Sequence, residues 1–164
     1  MHPSLLIRAA SAADRAAIWA ILEPIIRDAE TYALPRDMGE AEAIAYWTGP
    51  GRQVFVAEAD GVVVGTYFLR GNQLGGGGPC RQCRLRNRPC PAWPRDRAEA
   101  CRALSCRGRD RGFSAMQFNF VVSSNATAIH LWQSLGFETV GRLPGAFRHP
   151  QLGCVDALVM SRKL

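Results

Sequence analysis

The chain of 164 residues has no run of about 18 apolar residues, so no membrane-spanning helix is expected. Its start, Met1-His2-Pro3-Ser4-Leu5-Leu6, lacks the basic region and long apolar stretch of a secretory leader, and a cytoplasmic protein is the expectation. No internal repeat is visible. Lysine is almost missing, with Lys163 alone against nineteen arginines. What is present is ample apolar material: 48% of residues are hydrophobic, enough for one domain over 1–164 to bury a real core.

Charge is concentrated in one place. The formal net charge is +6, yet residues 79–112 hold ten arginines and three acids, a balance of +7 that leaves −1 for the rest. Five of the six cysteines, Cys80, Cys83, Cys90, Cys101 and Cys106, fall in that same segment. In a reducing cytosol these thiols stay free, so no disulfide framework is expected.

Outside that segment the patterning is regular. Leu5-Leu6-Ile7-Arg8 reads as a first strand, and Ser11 with Asp14 as a capping box opening a helix. Ile18, Ile21, Leu22, Ile25, Ile26 and Ala29 follow helical spacing, with Pro24 expected to kink the helix or break it in two. Glu30-Thr31-Tyr32 falls in a loop, and a second helix spans Glu40 to Trp47. Gln53–Ala59 and Val62–Leu69 flank Asp60-Gly61, the signal of a tight antiparallel hairpin, and Gly65 predicts a bulge or a close backbone approach. Gly75-Gly76-Gly77-Gly78 reads as a flexible loop. Near the C-terminus, Glu138–Arg142 and Cys154–Met160 read as strands joined by a loop over Leu143–Pro150.

The most informative stretch lies between. Met116, Phe118 and Phe120 share one strand face, and Gln117, Asn119 and Val121 the other. Ser123-Ser124-Asn125 breaks the run, with Asn125 placed to cap a helix. Ala128, Ile129, Trp132 and Leu135 recur at helical spacing up to Gly136, a left-handed stop.

The spelling Asn-x-x-Ala-x-x-Leu-Trp-x-x-x-Gly-Phe over Asn125–Phe137 resembles the strand–helix unit of the GCN5-related N-acetyltransferases, the GNAT superfamily. The resemblance covers residues 4–74 and 112–162. It implies an α/β (α+β) fold, with a mixed, mostly antiparallel sheet flanked by helices. It implies acetyl-coenzyme A as co-substrate, no metal, and a small-molecule amine or a protein N-terminus as acceptor. A homodimer is compatible with it, whereas membrane and nucleic acid are not expected as partners. Phe120, Val121 and Val122 match a strand that splays from its neighbour and offers backbone to the pantetheine arm. Asn125 matches a side-chain contact to the cofactor. Glu30, Thr31 and Tyr32 lie where relatives place acceptor-site residues. Glu30 is the first candidate base and Glu58 the second, with Thr31 and Tyr32 as substrate contacts. Trp132 stands where many relatives carry an acidic tyrosine. An indole N–H cannot take that role, so Trp132 is expected to pack. His130 faces away from the apolar stripe, and His149 sits in the proline-rich loop with no chemistry assigned.

Residues 79–111 do not follow the resemblance. The family places there a fourth strand, a glycine-rich loop and a helix, and backbone amides of the loop hold the cofactor pyrophosphate. Here Trp93-Pro94-Arg95-Asp96-Arg97-Ala98 stands in its place, and no glycine occurs between Gly78 and Gly108. One reading is replacement: Cys80-x2-Cys83 and Cys101-x4-Cys106 approach four-thiolate zinc spacing, and the surrounding arginines suit nucleic-acid phosphates. Such a chain would be a non-enzymatic zinc- or nucleic-acid-binding module. Against it, the second pair is wide, Cys90 is surplus, and four prolines disfavour regular structure. The other reading is a slipped reading frame. Codons for Ala92–Ala98, with CGN arginines and read one base later, give CNT GGC CNC GNG AYC GNG. Suitable third bases turn this into Arg-Gly-Arg-Gly-Ile-Gly, the missing loop. A slip accounts together for the local charge, the cysteines and the lost periodicity, and is the favoured reading.

Overall fold

Alternation along two neighbouring strands divides the interior into two cores. Phe55 and Tyr67 point one way, Val56 and Phe68 the other, and all four are buried. Each face of the sheet therefore needs a helical cover. The computed structural model describes residues 5–72, 80–87 and 113–164, with residues 80–87 described by their backbone. In chain order its elements are β1 (Leu5–Ala9), a single 3-10 turn (Ala12–Asp14), α1 (Arg15–Asp28), α2 (Glu40–Trp47), β2 (Gln53–Ala59) and β3 (Val62–Gly71). There follow β4 (Cys80–Asn87), β5 (Ala115–Val122), α3 (Ala126–Ser134), β6 (Glu138–His149) and β7 (Gly153–Lys163).

The seven strands form one sheet in the order β1-β2-β3-β4-β5-β7-β6. Every neighbouring pair is antiparallel except β4 with β5. This is the mixed, mostly antiparallel sheet that the family resemblance implies. Ile18, Leu22 and Ile26 of α1, with Ala43, Ile44 and Trp47 of α2, cover the face carrying Val56 and Phe68. On the opposite face Trp132 of α3 packs with Phe118, Phe137 and Met160.

Two polar anchors fix the first half. The Trp47 indole N–H donates to Thr66 Oγ1 at 3.0 Å, and that hydroxyl donates to the Phe55 carbonyl at 3.0 Å. Both side chains are fully buried, so each must be satisfied within the protein. At the sheet edge, Arg8 donates from both Nη groups to Asp14 at 2.8 Å and from Nε to Glu58 at 3.0 Å. Asp14 Oδ2 also accepts the Ser11 backbone N–H at 2.7 Å and the Ser11 hydroxyl at 2.9 Å. The predicted Ser11–Asp14 box is thus tied to β1 and β2.

The hairpin turn forms as read. Asp60 and Gly61 both take positive φ, 49° and 79°, which matches the twist of the flanking strands. A bulge lies beside Gly65, where Ala57 pairs with Gly65 but Glu58 pairs with Val63.

Four expectations are corrected. Of the kink or break expected at Pro24, the break does not occur, since α1 runs unbroken from Arg15 to Asp28. Its ring lies on the solvent side, and the buried stripe holds the helix across the lost hydrogen bond. Strict alternation along β5 fails after Phe118. A bulge between Phe118 and Val121 places Val121 in the core with Met116 and Phe118, and turns Phe120 toward Phe147. Leu143–Pro150 is not a plain loop, because β6 continues to His149 through a bulge over Pro144-Gly145-Ala146. Finally, Cys80–Asn87 forms a strand despite its lack of a strand pattern. The open edge of β3 pairs with it from Gly65 to Gly71, so pairing rather than side-chain period decides. Gly75–Gly78 and the rest of the anomalous segment, including Cys101 and Cys106, lie outside the described residues.

Candidate active site

The sheet opens in its middle. β4 and β5 pair at Cys80/Ala115, Arg81/Met116 and Gln82/Gln117 and then part. Beyond that point β4 stays paired to β3 as far as Asn87, and β5 stays paired to β7 as far as Val122. Among the described residues, each strand thus keeps one partner and turns an unpaired edge toward the fork. Inside a sheet such N–H and C=O groups need a bonding partner. An extended ligand with its own amides fits this gap as an added strand would. Phe120, Val121 and Val122 lie on the β5 side of the fork, with Val121 and Val122 buried.

At the base of the fork stands a row of amides. Gln117 Nε2 donates to Asn119 Oδ1 at 2.8 Å, and Asn119 Nδ2 donates to Asn72 Oδ1 at 2.7 Å. Sequence reading assigned these residues nothing. The available signal was two amides at alternate positions in an otherwise apolar strand. Above the fork, Asn125 Oδ1 accepts the Ala128 backbone N–H at 3.0 Å and caps α3 as predicted.

A cavity of about 530 Å³ lies between the α1–α2 connection and the end of β6. Tyr32, Leu34 and Arg36 line it from one side, Phe147, Arg148 and Pro150 from the other. Phe147 stands edge-on to Phe120, with ring centroids 6.2 Å apart, so the groove and the fork share an aromatic wall. Arg27 pins the near side by donating from Nη1 to the Arg36 and Met38 carbonyls, the latter at 3.0 Å. Arg36 Nε returns a bond to the Arg27 carbonyl at 2.8 Å. On the far side His149 is buried, and its Nδ1 accepts backbone N–H groups from Gln151 at 3.2 Å and Leu152 at 3.3 Å. His149 therefore shapes a turn, and His130 is exposed on α3.

The proposed site residues are not all gathered. Tyr32 lines the groove, while Glu30 and Thr31 sit in sequence between the lining residues Ala29 and Tyr32. Glu30 is exposed. Glu58 lies at the β1–β2 edge with its carboxylate on Arg8. Trp132 is 7% exposed and stacks on Phe118 at 4.3 Å between centroids, which is a packing role.

Comparison with solved structures places this architecture in a known class. The chain superposes on a GCN5-related N-acetyltransferase from Kribbella flavida with a TM-score of 0.88 and 35% identity, covering 98% of each chain. YncA from Salmonella typhimurium, determined with its cofactor acetyl-CoA, matches at TM-score 0.82 and 23% identity over 98% of this chain and 94% of that one. A phosphinothricin acetyltransferase from Sinorhizobium meliloti, in complex with AcCoA, gives TM-score 0.82 and 22% identity over 100% and 89%. No family model matches the chain, and no curated protein matches it by sequence. The fold is that of the N-acetyltransferases. The chain belongs to the GCN5-related N-acetyltransferase family.

Proposed function

We propose that this chain carries out acetyl-coenzyme A-dependent acetylation of the primary amine of a small molecule or a protein N-terminus. The observation that carries the reading is the fork between β4 and β5 beside a separate groove, since a two-substrate transfer needs two converging channels. Acetyl-coenzyme A supplies the thioester whose acetyl group is transferred. The unpaired edges of Phe120, Val121 and Val122 hold its amide-bearing arm, and the Asn125 amide nitrogen, which the cap leaves unused, reaches it from above.

The groove orients the acceptor against Phe147 and Tyr32, with Thr31 at its border. Holding two reactants in line removes much of the entropy cost of their meeting. The attacking amine must lose a proton. Glu30, exposed beside the groove, accepts it directly or through water. We assign the other candidate, Glu58, to holding Arg8, since its carboxylate is already engaged there. With Trp132 stacked in the core, the departing thiolate takes its proton from solvent.

The segment Trp93–Ala98 lacks the glycines that let backbone approach a pyrophosphate, so we expect the chain as written to bind the cofactor weakly. Titration calorimetry with acetyl-coenzyme A on this chain, and on one expressed with the frame restored across residues 79–111, tests both points. The expected result is micromolar binding and acetyl transfer by the restored chain, with binding at least about tenfold weaker as written. Failure of both chains to bind would sink the acetyltransferase reading.

A further inference from the structure

Arg8, Arg15, Arg27 and Arg142 each pair with a carboxylate: Asp14 and Glu58, Glu40, Glu23, and Asp156 respectively. Arg36 and Arg148, one on each side of the groove, pair with no carboxylate among the described residues. Among the described residues no acid lines the groove, and its nearest acids in sequence, Asp28, Glu30 and Asp37, are exposed. Two arginines therefore border a groove lined otherwise mostly by apolar side chains, with no counterion among the described lining residues.

An arrangement of this kind is poor at holding a simple amine. A protonated amine entering alone meets like charge from both sides, which disfavours it. An anion meets the reverse: guanidinium groups match a carboxylate in planarity and donor spacing, and weak hydration lowers the cost of using them. The apolar lining reduces competition from water, and the cavity of about 530 Å³ suits a small molecule. Arg36 is further pre-set by its Nε bond to the Arg27 carbonyl, which leaves its Nη groups for a ligand.

We propose that the groove between the α1–α2 connection and β6 takes a small zwitterion: an acceptor whose reacting amine is accompanied by a carboxylate or similar anion held by Arg36 and Arg148. This rests on the acetyltransferase reading for the fate of the amine, though the anion-binding step stands without it. The anion fixes one end of the acceptor, and the amine is left toward Phe120 and the fork. Neutral amines and peptide N-termini distant from an anion lose that anchor.

The test is equilibrium binding to the full chain by calorimetry, using free amino acids, their amides and the matching decarboxylated amines, with short neutral peptides as a fourth arm. The expected outcome is that at least one amino acid binds tenfold or more tighter than its amide and amine, with affinity falling as salt is raised. Arg148→Gln should remove most of that preference at unchanged melting temperature, and Arg148→Glu should reverse it toward the amines. Arg36→Gln should act alike, but its clamp on Arg27 makes Arg148 the cleaner variant. Equal binding of acid and amide, a preference that survives Arg148→Glu, tighter binding of the peptides, or no binding by any amino acid would each overturn the proposal. Acid-selective binding without acetyl transfer would keep it and sink the acetyltransferase reading. Acetylation confined to neutral amines would do the opposite.

Discussion

Gly145 donates its backbone N–H to Asp156 Oδ1 at 2.8 Å, across the two strands that end the chain. The other oxygen of that carboxylate accepts from Arg142 Nε. Between Leu143/Ala157 and Phe147/Val155, β6 spends four residue steps where β7 spends two. Pro144-Gly145-Ala146 thus stands opposite Asp156 alone, a surplus of two residues, and Gly145 takes φ of 59° to fold it. Proline supplies no N–H there, so Asp156 replaces the missing ladder bonds.

Asp156→Ala should therefore loosen the wall that carries Phe147 and Arg148. The acceptor KM is expected to rise several-fold with kcat nearly kept, as measured by steady-state kinetics. The Gly145 N–H first, and Arg142 second, hold the Asp156 carboxyl below its ordinary range. A lowered folded value means the contribution is full above the unfolded carboxylate value and fades as pH falls. The wild-type KM should drift toward that of the variant in acid.

Asp14 ties α1 to the sheet edge. The Arg8 guanidinium holds its carboxyl well below the usual range against the opposing effect of burial, and Ser11 adds to the depression. Asp14→Ala should cost about 2–3 kcal/mol, the usual loss when hydrogen bonds to a charged group are removed from a buried site. Because the folded value is depressed, wild-type stability from this pair is present above the unfolded carboxylate value of about 4 and is lost below it. Urea unfolding at several pH values reads both effects. A variant whose deficit stayed constant down to strong acid would refute the assignment.

Trp132 separates packing from catalysis. Trp132→Ala should destabilise by about 3–5 kcal/mol, as for a large aromatic removed from a core. Trp132→Phe keeps most of the stack on Phe118 and should leave kcat and its pH profile intact. A collapse of kcat in the phenylalanine variant, with normal stability, would instead mark the indole as a working group.

Peptide mapping by mass spectrometry across residues 71–115 decides the identity of the anomalous segment. Peptides reading Arg-Gly-Arg-Gly-Ile-Gly are the expected outcome of a slipped frame. Recovery of Asn87-Arg88-Pro89-Cys90-Pro91-Ala92-Trp93 as written would show that the phosphate loop has been replaced.

Much of the fold was legible because its signals are local. Asn125 as a cap, Asp60-Gly61 as a turn and Ser11–Asp14 as a box each depend on residues a few positions apart, and each formed as read. What escaped was set by partners distant in sequence. Phe120 and Val121 exchange faces because β7 imposes a bulge. Cys80–Asn87 becomes a strand because β3 offers it an edge. Pro24 is carried through α1 by burial of its neighbours. In the candidate site, Tyr32 was singled out through the family resemblance, and it lines the groove. Arg36 and Arg148 were not singled out, because the sequence alone does not show which arginines meet no carboxylate among the described residues.

The three residue pairs joining β4 to β5 also have a mechanical consequence. Among the described residues they are all the ladder that links a four-stranded half-sheet, β1 to β4, to a three-stranded one, so the sheet has a seam. A guest bonding to both open edges would act as an eighth strand and stitch the halves together. Occupancy should then be felt as stiffness across the whole sheet, and amide exchange at Ala115–Gln117 should slow together with that of strands no ligand touches.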